Sequence, residues 1–260
     1  MSPLTLAILI GLLQGIIEWL PISSQGNLVV LMTALLGIDS TSALIYSIYL
    51  HIGTGLAALI YFRRDVIGIL SRESDEKKRL FRFLLISTIL TGVIGLPLYL
   101  FVRGASLYGE ALLGLTGIAL VATGLVQRRA AESDKRGPGS LETREGVVMG
   151  LIQGFSAIPG ISRSGFTSSA LLMMGFSGEE AFRISFLMSI PAVFAAALGM
   201  VIVEGVPTFE ISMFLAVAAS FVTAILTIDV LLKAARRIRF WSLCIALGVL
   251  TLLPQLLLFL

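Results

Sequence analysis

The sequence predicts an all-α integral membrane protein of six transmembrane helices plus two re-entrant helical hairpins, arranged as an inverted-topology repeat. Three observations lead there. Of 260 residues, 57% are hydrophobic and 13% charged, and mean hydropathy is +0.97, whereas soluble domains carry about 25% charged residues. The apolar residues gather into six stretches long enough to cross a bilayer and two more that are interrupted. The two interrupted stretches also share a pattern of residues. The same composition excludes several function classes. One Cys and one His rule out an internal disulfide and multi-histidine or zinc-finger metal sites. No Rossmann or Walker-A glycine pattern is present, and the net charge of +3 sits in loops, with nothing that points to nucleic acid.

Taken along the chain, residues 3–37 come first, apolar but broken at Pro21-Ile-Ser-Ser-Gln-Gly26. Each half is about 15 residues, roughly 22 Å of helix, which is short of a bilayer core. The prediction is a hairpin that enters and leaves on one side; two complete spans would need shorter helices than a bilayer prefers. Spans follow at about 41–62, 82–102 and 108–128. The second interrupted region, 146–176, breaks at Pro159-Gly-Ile-Ser-Arg-Ser-Gly165 and is read the same way. Three more spans complete the chain at about 180–203, 209–232 and 240–260. The N-terminus lacks the basic start of a signal peptide and holds Glu18 inside its apolar run, so it is read as mature protein.

Orientation comes from the short loops. Loops 63–82, 128–145 and 233–239 hold sixteen of the nineteen Lys and Arg residues and should face the cytoplasm. The opposite loops carry Arg103, Asp39, Glu110, Glu204 and Glu210. Both termini and the first hairpin then open to the outside, and the second hairpin opens to the cytoplasm. The run Arg72–Arg79 is expected to be a solvated loop near lipid headgroups.

Gly11-Leu-Leu-Gln14-Gly15 returns 139 residues later as Gly150-Leu-Ile-Gln153-Gly154, and Ser23 and Gly26 match Ser162 and Gly165. Each copy is followed by three spans, an odd number, so the copies are inverted. The whole chain, 1–260, is one membrane domain, with repeats 1–130 and 140–260 joined by a cytoplasmic loop. The repeated Gly-xxx-Gly pairs suit close helix packing. In such folds a substrate site is expected where the breaks meet.

The copies differ at the breaks. Gln14 and Glu18 share a helix face, but their counterparts are Gln153 and Ala157. Where the first copy has Ser24 the second has Arg163. One acid thus faces one fixed cation among Ser23, Ser24, Ser162, Ser164 and Thr167. An ionisable residue in the membrane is a functional candidate by default, though Glu18 and Arg163 could also form a structural pair. Arg163 at a half-helix start, ringed by hydroxyls and free N–H groups, suits phosphate; Ser23 and Ser162 could equally be helix caps. His51 lies deep in the first complete span, as a lining residue or a structural one. Asp229 and Arg183 lie near helix ends as snorkelling or orienting charges, and Cys244 is a small apolar side chain facing lipid or core.

At these residues the sequence resembles the undecaprenyl-diphosphatase (BacA/UppP) family. Members carry Glu/Gln-xxx-Glu, then Pro-Val-Ser-Ser-Thr-Gly-His, and later Pro-Gly-x-Ser-Arg-Ser-Gly-x-Thr. Here these read Gln14-Gly-Ile-Ile-Glu18, Pro21-Ile-Ser-Ser-Gln-Gly-Asn27 and Pro159-Gly-Ile-Ser-Arg-Ser-Gly-Phe-Thr167, the last matching in full. The resemblance spans the chain and implies hydrolysis of a polyprenyl diphosphate to its monophosphate and inorganic phosphate. That reaction recycles the lipid carrier of cell-envelope glycan synthesis. It implies a divalent cation (Mg²⁺ or Ca²⁺), a plasma-membrane location and a site open to the extracytoplasmic side, and admits a homodimer. By resemblance Glu18 is the acid/base or metal ligand, Gln14 its neutral partner, Ser24 the nucleophile and Arg163 the clamp on the diphosphate. Ser162, Ser164 and Thr167 then bind its oxygens, with Ser23, Asn27 and His51 as further binding candidates. The chain departs from the family at Gln25 and Asn27, the latter standing where the pattern has His. Asn27 cannot take a proton from Ser24, which leaves Glu18, a metal-bound hydroxide or His51 as base. A transporter or flippase of polyprenyl phosphate or a related amphiphilic anion is the alternative function, since fold alone does not decide. A structural scaffold would leave Glu18, Arg163 and both breaks unexplained.

Overall fold

The computed structural model describes residues 2–106, 109–129, 136–204, 211–237 and 241–257. Apart from one isolated bridge between Arg136 and Phe176, their regular structure is helical. Helix α1 (Pro3–Ile17) starts with Pro3 in its first turn and with the Ser2 side chain accepting from the Thr5 N–H. Both are favoured where the first N–H groups lack helical partners. The chain turns through Ser23 in the left-handed region, φ 60°, and α2 (Ser24–Val30) runs into a π-helical turn at Leu31–Leu35. Helix α3 (Ser40–Tyr61) is capped by Asp39, which accepts from Ser42 N at 2.9 Å. These bonds from Ser42 hold the Asp39 carboxyl below its ordinary pKa.

Helix α4 (Arg63–Ser71) and helix α5 (Asp75–Ser106) occupy what the sequence reads as a loop followed by a span. The expected solvated run from Arg72 to Arg79 is therefore partly helical. Arg72, at φ 54°, ends α4, and Asp75 and Glu76 open α5, where acidic side chains favour a helix start. Helix α6 (Gly109–Arg129) completes the first half. Helix α7 (Thr143–Gly154) begins with a reciprocal Glu142/Glu145 capping box, and a 3-10 turn at Phe155–Ala157 precedes the break. Helices α8 (Arg163–Met173), α9 (Gly178–Glu204), α10 (Ile211–Arg237) and α11 (Trp241–Leu257) follow.

Four of these helices have described stretches long and apolar enough to cross a membrane: Ser40–Tyr61, Asp75–Gly104, Gly178–Glu204 and Ile211–Val230. Large apolar side chains such as Ile118, Ile202 and Leu226 are exposed around the molecule, a surface suited to lipid rather than water. The chain is a multi-pass helical membrane protein.

Glycines set the closest contacts. Helix α1 lies on α10, where a Cβ at Gly15 would stand 2.6 Å from the Ser220 carbonyl oxygen. Helix α7 lies on α5 in the same manner, with Gly150 against Ser87. Helix α6 pairs with α11. The core between them is built on Trp19, Phe83, Phe176 and Phe186, all at most 1% exposed. Cys244 belongs to this core, with its Sγ on the Pro21 carbonyl.

Two charges expected near helix ends are engaged in ion pairs. Arg183 bonds Asp65, which also takes Lys77 at 3.0 Å, tying α4, α5 and α9 together. Burial would raise the Asp65 pKa, but the hydrogen bonds from Arg183 and Lys77 hold it below 3.8. Asp229 accepts from Tyr61 and Lys233.

Candidate active site

Two helix breaks meet at the centre. Ser23 Oγ accepts from Gly26 N in its own break and from Gly160 N, 3.1 Å away, in the other. Helix α6 braces the junction: Thr123 donates to the Gly160 carbonyl and accepts from Ser162 N, and Gln127 donates to the Pro21 carbonyl. Backbone freed by the breaks is thus satisfied inside the protein, as apolar surroundings require.

Glu18 follows the last turn of α1 and is 5% exposed. Four side chains converge on it. Gln14 Nε2, one turn earlier, donates to Oε2 at 3.1 Å. The Ser24 hydroxyl, the first residue of α2, donates to the same oxygen at 2.5 Å. Arg163 Nη2, the first residue of α8, donates to Oε1 at 2.6 Å. His51 of α3 places Nε2 3.2 Å from Oε2 and 3.4 Å from Ser24 Oγ, while its Nδ1 lies 2.6 Å from the Ser47 carbonyl. The Arg163 guanidinium also stands 5.5 Å above the Phe186 ring, which packs on Trp19. Its Nη1 is buried with no partner, as is Gln14 Oε1.

A cavity of about 590 Å³ opens from Glu18, Ser24, His51 and Arg163. Ser23, Ser162 and Ser164 also border it, and the first two cap helices at the same time, Ser162 accepting from Gly165 N at 3.1 Å. Gln14, Asn27 and Thr167 do not border it. Asn27 donates to the Ile22 and Ser23 carbonyls, and Thr167 bonds the Arg163 carbonyl and Ser185. Both support the breaks from behind.

Sequence reasoning passed over Trp19, Phe186 and Gln153. Gln153 borders the cavity, 1% exposed, donating to Thr91 while its Oε1 has no partner; its match to Gln14 in the repeat was the available signal.

Chemically, the arrangement offers a hydroxyl hydrogen-bonded to a carboxylate, which activates a nucleophile, and a guanidinium whose Nη1 has no protein partner, a donor suited to a phosphate oxygen. Among the described residues no three His, Cys, Asp or Glu side chains gather as a metal cluster.

Comparison with known proteins follows the same line. The family described as bacitracin resistance protein BacA matches residues 7–250. An undecaprenyl-diphosphatase of Methanococcoides burtonii is 43% identical, over 98% of this chain and 99% of its own. Relatives of the same name in Methanothrix thermoacetophila and Haloarcula marismortui are 42% and 38% identical, each covering 95% of this chain and 94% or 96% of their own.

Proposed function

The chain belongs to the bacitracin resistance protein BacA family, and from that premise we propose that it is a membrane phosphatase hydrolysing undecaprenyl diphosphate to the monophosphate and inorganic phosphate. The observation that carries the reading at the site is the 2.5 Å bond from the Ser24 hydroxyl to Glu18, beside the unpaired Nη1 of Arg163. Ser24 Oγ attacks the terminal phosphorus as its proton passes to Glu18. The bond to the bridging oxygen breaks and the polyprenyl monophosphate leaves. Water then releases phosphate from Ser24, whose oxygen regains a proton. Arg163 stabilises charge on the transferred group. His51, Ser162 and Ser164 offer further contacts to phosphate oxygens, and Gln14 holds Glu18 in place.

The donor set fits a hard cation such as Mg²⁺ or Ca²⁺. Glu18 would hold it, near the unpartnered Gln14 Oε1, since hard cations take carboxylate and carbonyl oxygens. When bound, the cation neutralises charge on the diphosphate.

Six membrane-crossing helices, α3, α5, α6, α9, α10 and α11, with α1–α2 and α7–α8 as re-entrant hairpins, complete the reading. The packing pairs support it: exchanging the two halves turns α1 on α10 into α7 on α5 and returns α6 on α11 to itself. The distribution of Lys and Arg supports a site open to the extracytoplasmic side.

The test is phosphate released by purified protein from a C55 polyprenyl diphosphate, with Mg²⁺, Ca²⁺ or chelator. Cation-dependent release that disappears in Glu18→Ala, Ser24→Ala and Arg163→Ala is expected. Folded protein that releases none, or a Ser24→Ala variant as fast as the original, would overturn the mechanism. Passage of a polyprenyl phosphate without hydrolysis needs neither Ser24 nor its bond to Glu18, so the same series separates the two activities.

A further inference from the structure

A diphosphate fills only the polar end of the cavity. From Glu18 and Arg163 the space continues between α5 and α9 as far as Tyr99 and Met200. At its edge Ile89 and Val93 are 57% and 59% exposed, so this part opens sideways between the helices, toward lipid. Small residues line part of its walls, Gly92 and Gly95 on α5 and Ala192, Ala196 and Gly199 on α9, beside larger apolar ones such as Leu96, Tyr99 and Met200.

Two of these glycines have no packing reason to be glycine. A Cβ added at Gly92 or Gly199 meets nothing within 4 Å, whereas one at Gly15 or Gly150 would strike a neighbouring backbone. Neither Gly92 nor Gly199 has a positive φ. Glycine inside a helix destabilises it relative to alanine, and at these two positions no close helix contact offsets that cost. Gln153 gives a separate sign of a ligand: it borders the same space, is 1% exposed, and has an unpartnered Oε1. The pair of helices related to these by the repeat, α3 and α10, is closed, with Gly53 pressed against Phe221 N. Only one of the two equivalent seams is open.

We propose that the seam between α5 and α9 seats the first prenyl units of the lipid substrate, and that Gly92 and Gly199 set the width it admits. The proposal rests on the phosphatase reading for the identity of the headgroup. A cavity of about 590 Å³ is in the range that encloses a small ligand, so the far end of a C55 chain lies outside it in the bilayer. Recognition is therefore confined to the diphosphate and the units beside it.

The experiment uses a prenyl diphosphate carrying a diazirine on an early prenyl unit, cross-linked to the intact protein in detergent and mapped by mass spectrometry. Cross-links on residues 88–99 and 192–200 are expected, and links confined to other helices would overturn the proposal. In parallel, Gly92→Leu and Gly199→Leu are assayed with C55 and C5 prenyl diphosphates. The ratio of kcat/KM for C55 over C5 should fall at least tenfold, chiefly through KM. An unchanged ratio in folded variants would overturn it. Cross-links in the seam from a protein that releases no phosphate would sink the phosphatase reading and leave the seam assignment standing. Phosphate release with cross-links elsewhere would do the opposite.

Discussion

Glu18 is the residue on which the site turns, because one buried carboxylate serves Ser24, Gln14, His51 and Arg163 at once. Removing either member of the Glu18–Arg163 pair leaves the other charge uncompensated in an apolar surrounding, a change that costs about 3–5 kcal/mol in buried pairs. Arg163→Lys is the sharper probe. It keeps the charge but loses the fork that reaches both Glu18 and a phosphate oxygen. We expect Arg163→Lys to stay folded and to lose about 10²-fold or more in kcat, within the range seen when an arginine that stabilises a transferred phosphoryl group is removed. Parallel melting curves and phosphate release check this, and near-normal turnover would remove Arg163 from the chemistry. Ser24→Ala should lower kcat by about 10²–10⁴-fold, the usual worth of a positioned proton transfer, with little change in melting temperature. That Glu18, Ser24 and Arg163 meet was legible in the sequence, since the repeat aligns the two breaks. The ring of Phe186 under Arg163 was not, because it comes from a helix whose rotation no periodicity in a uniformly apolar span reveals, whereas His51, expected as a lining residue or base, does lie 3.2 Å from Glu18 Oε2.

Helices show the same division between what a sequence states and what packing decides. Over the described residues, each of the six long apolar stretches coincides with a helix, because twenty or so apolar residues leave little else to form. Their ends were less legible. Helix α5 begins at Asp75, seven residues before the expected 82, since its first two turns are charged and lie outside an apolar count. Helix α4 was missed for the same reason. It is short and amphipathic, and an apolar scan sees only its basic residues. Glycine roles separate at this scale. The pairs Gly11/Gly15 and Gly150/Gly154 were read as packing positions, and a Cβ at Gly15 would indeed stand 2.6 Å from Ser220 O. Gly15→Ala should therefore destabilise by about 1–3 kcal/mol, as overpacking does. Gly92→Ala, with open space around the added methyl, should stabilise by up to about 1 kcal/mol. Opposite shifts in melting temperature in the same detergent would bear out both assignments; shifts of one sign would refute the contrast.

At the scale of the whole molecule, the charged loops carry two expectations. Asp65 joins α4, α5 and α9 through Lys77 and Arg183, and those bonds hold its pKa below 3.8. A lowered carboxyl pKa adds stability that is complete above the unfolded value and disappears as pH falls through the folded one. Asp65→Asn should thus melt lower than the original protein at pH 7, with the gap closing as pH falls below 3.8. The second expectation concerns orientation. Sixteen of nineteen basic residues lie in segments 63–82, 128–145 and 233–239; on the positive-inside rule those segments should face the cytoplasm, and an inverted repeat would then put Asp39 and the mouth of the first hairpin on the other side. Cys244 is fully buried, so the protein carries a silent background for a membrane-impermeant maleimide. Asp39→Cys, exposed before α3, should label in intact cells. Glu76→Cys and Arg144→Cys, exposed at the starts of α5 and α7, should label only after the membrane is opened. Labelling of all three from outside would deny that the loops lie on opposite sides. The reverse pattern would turn the molecule over and place the Glu18 cavity on the cytoplasmic face, where it would act on lipid delivered from within.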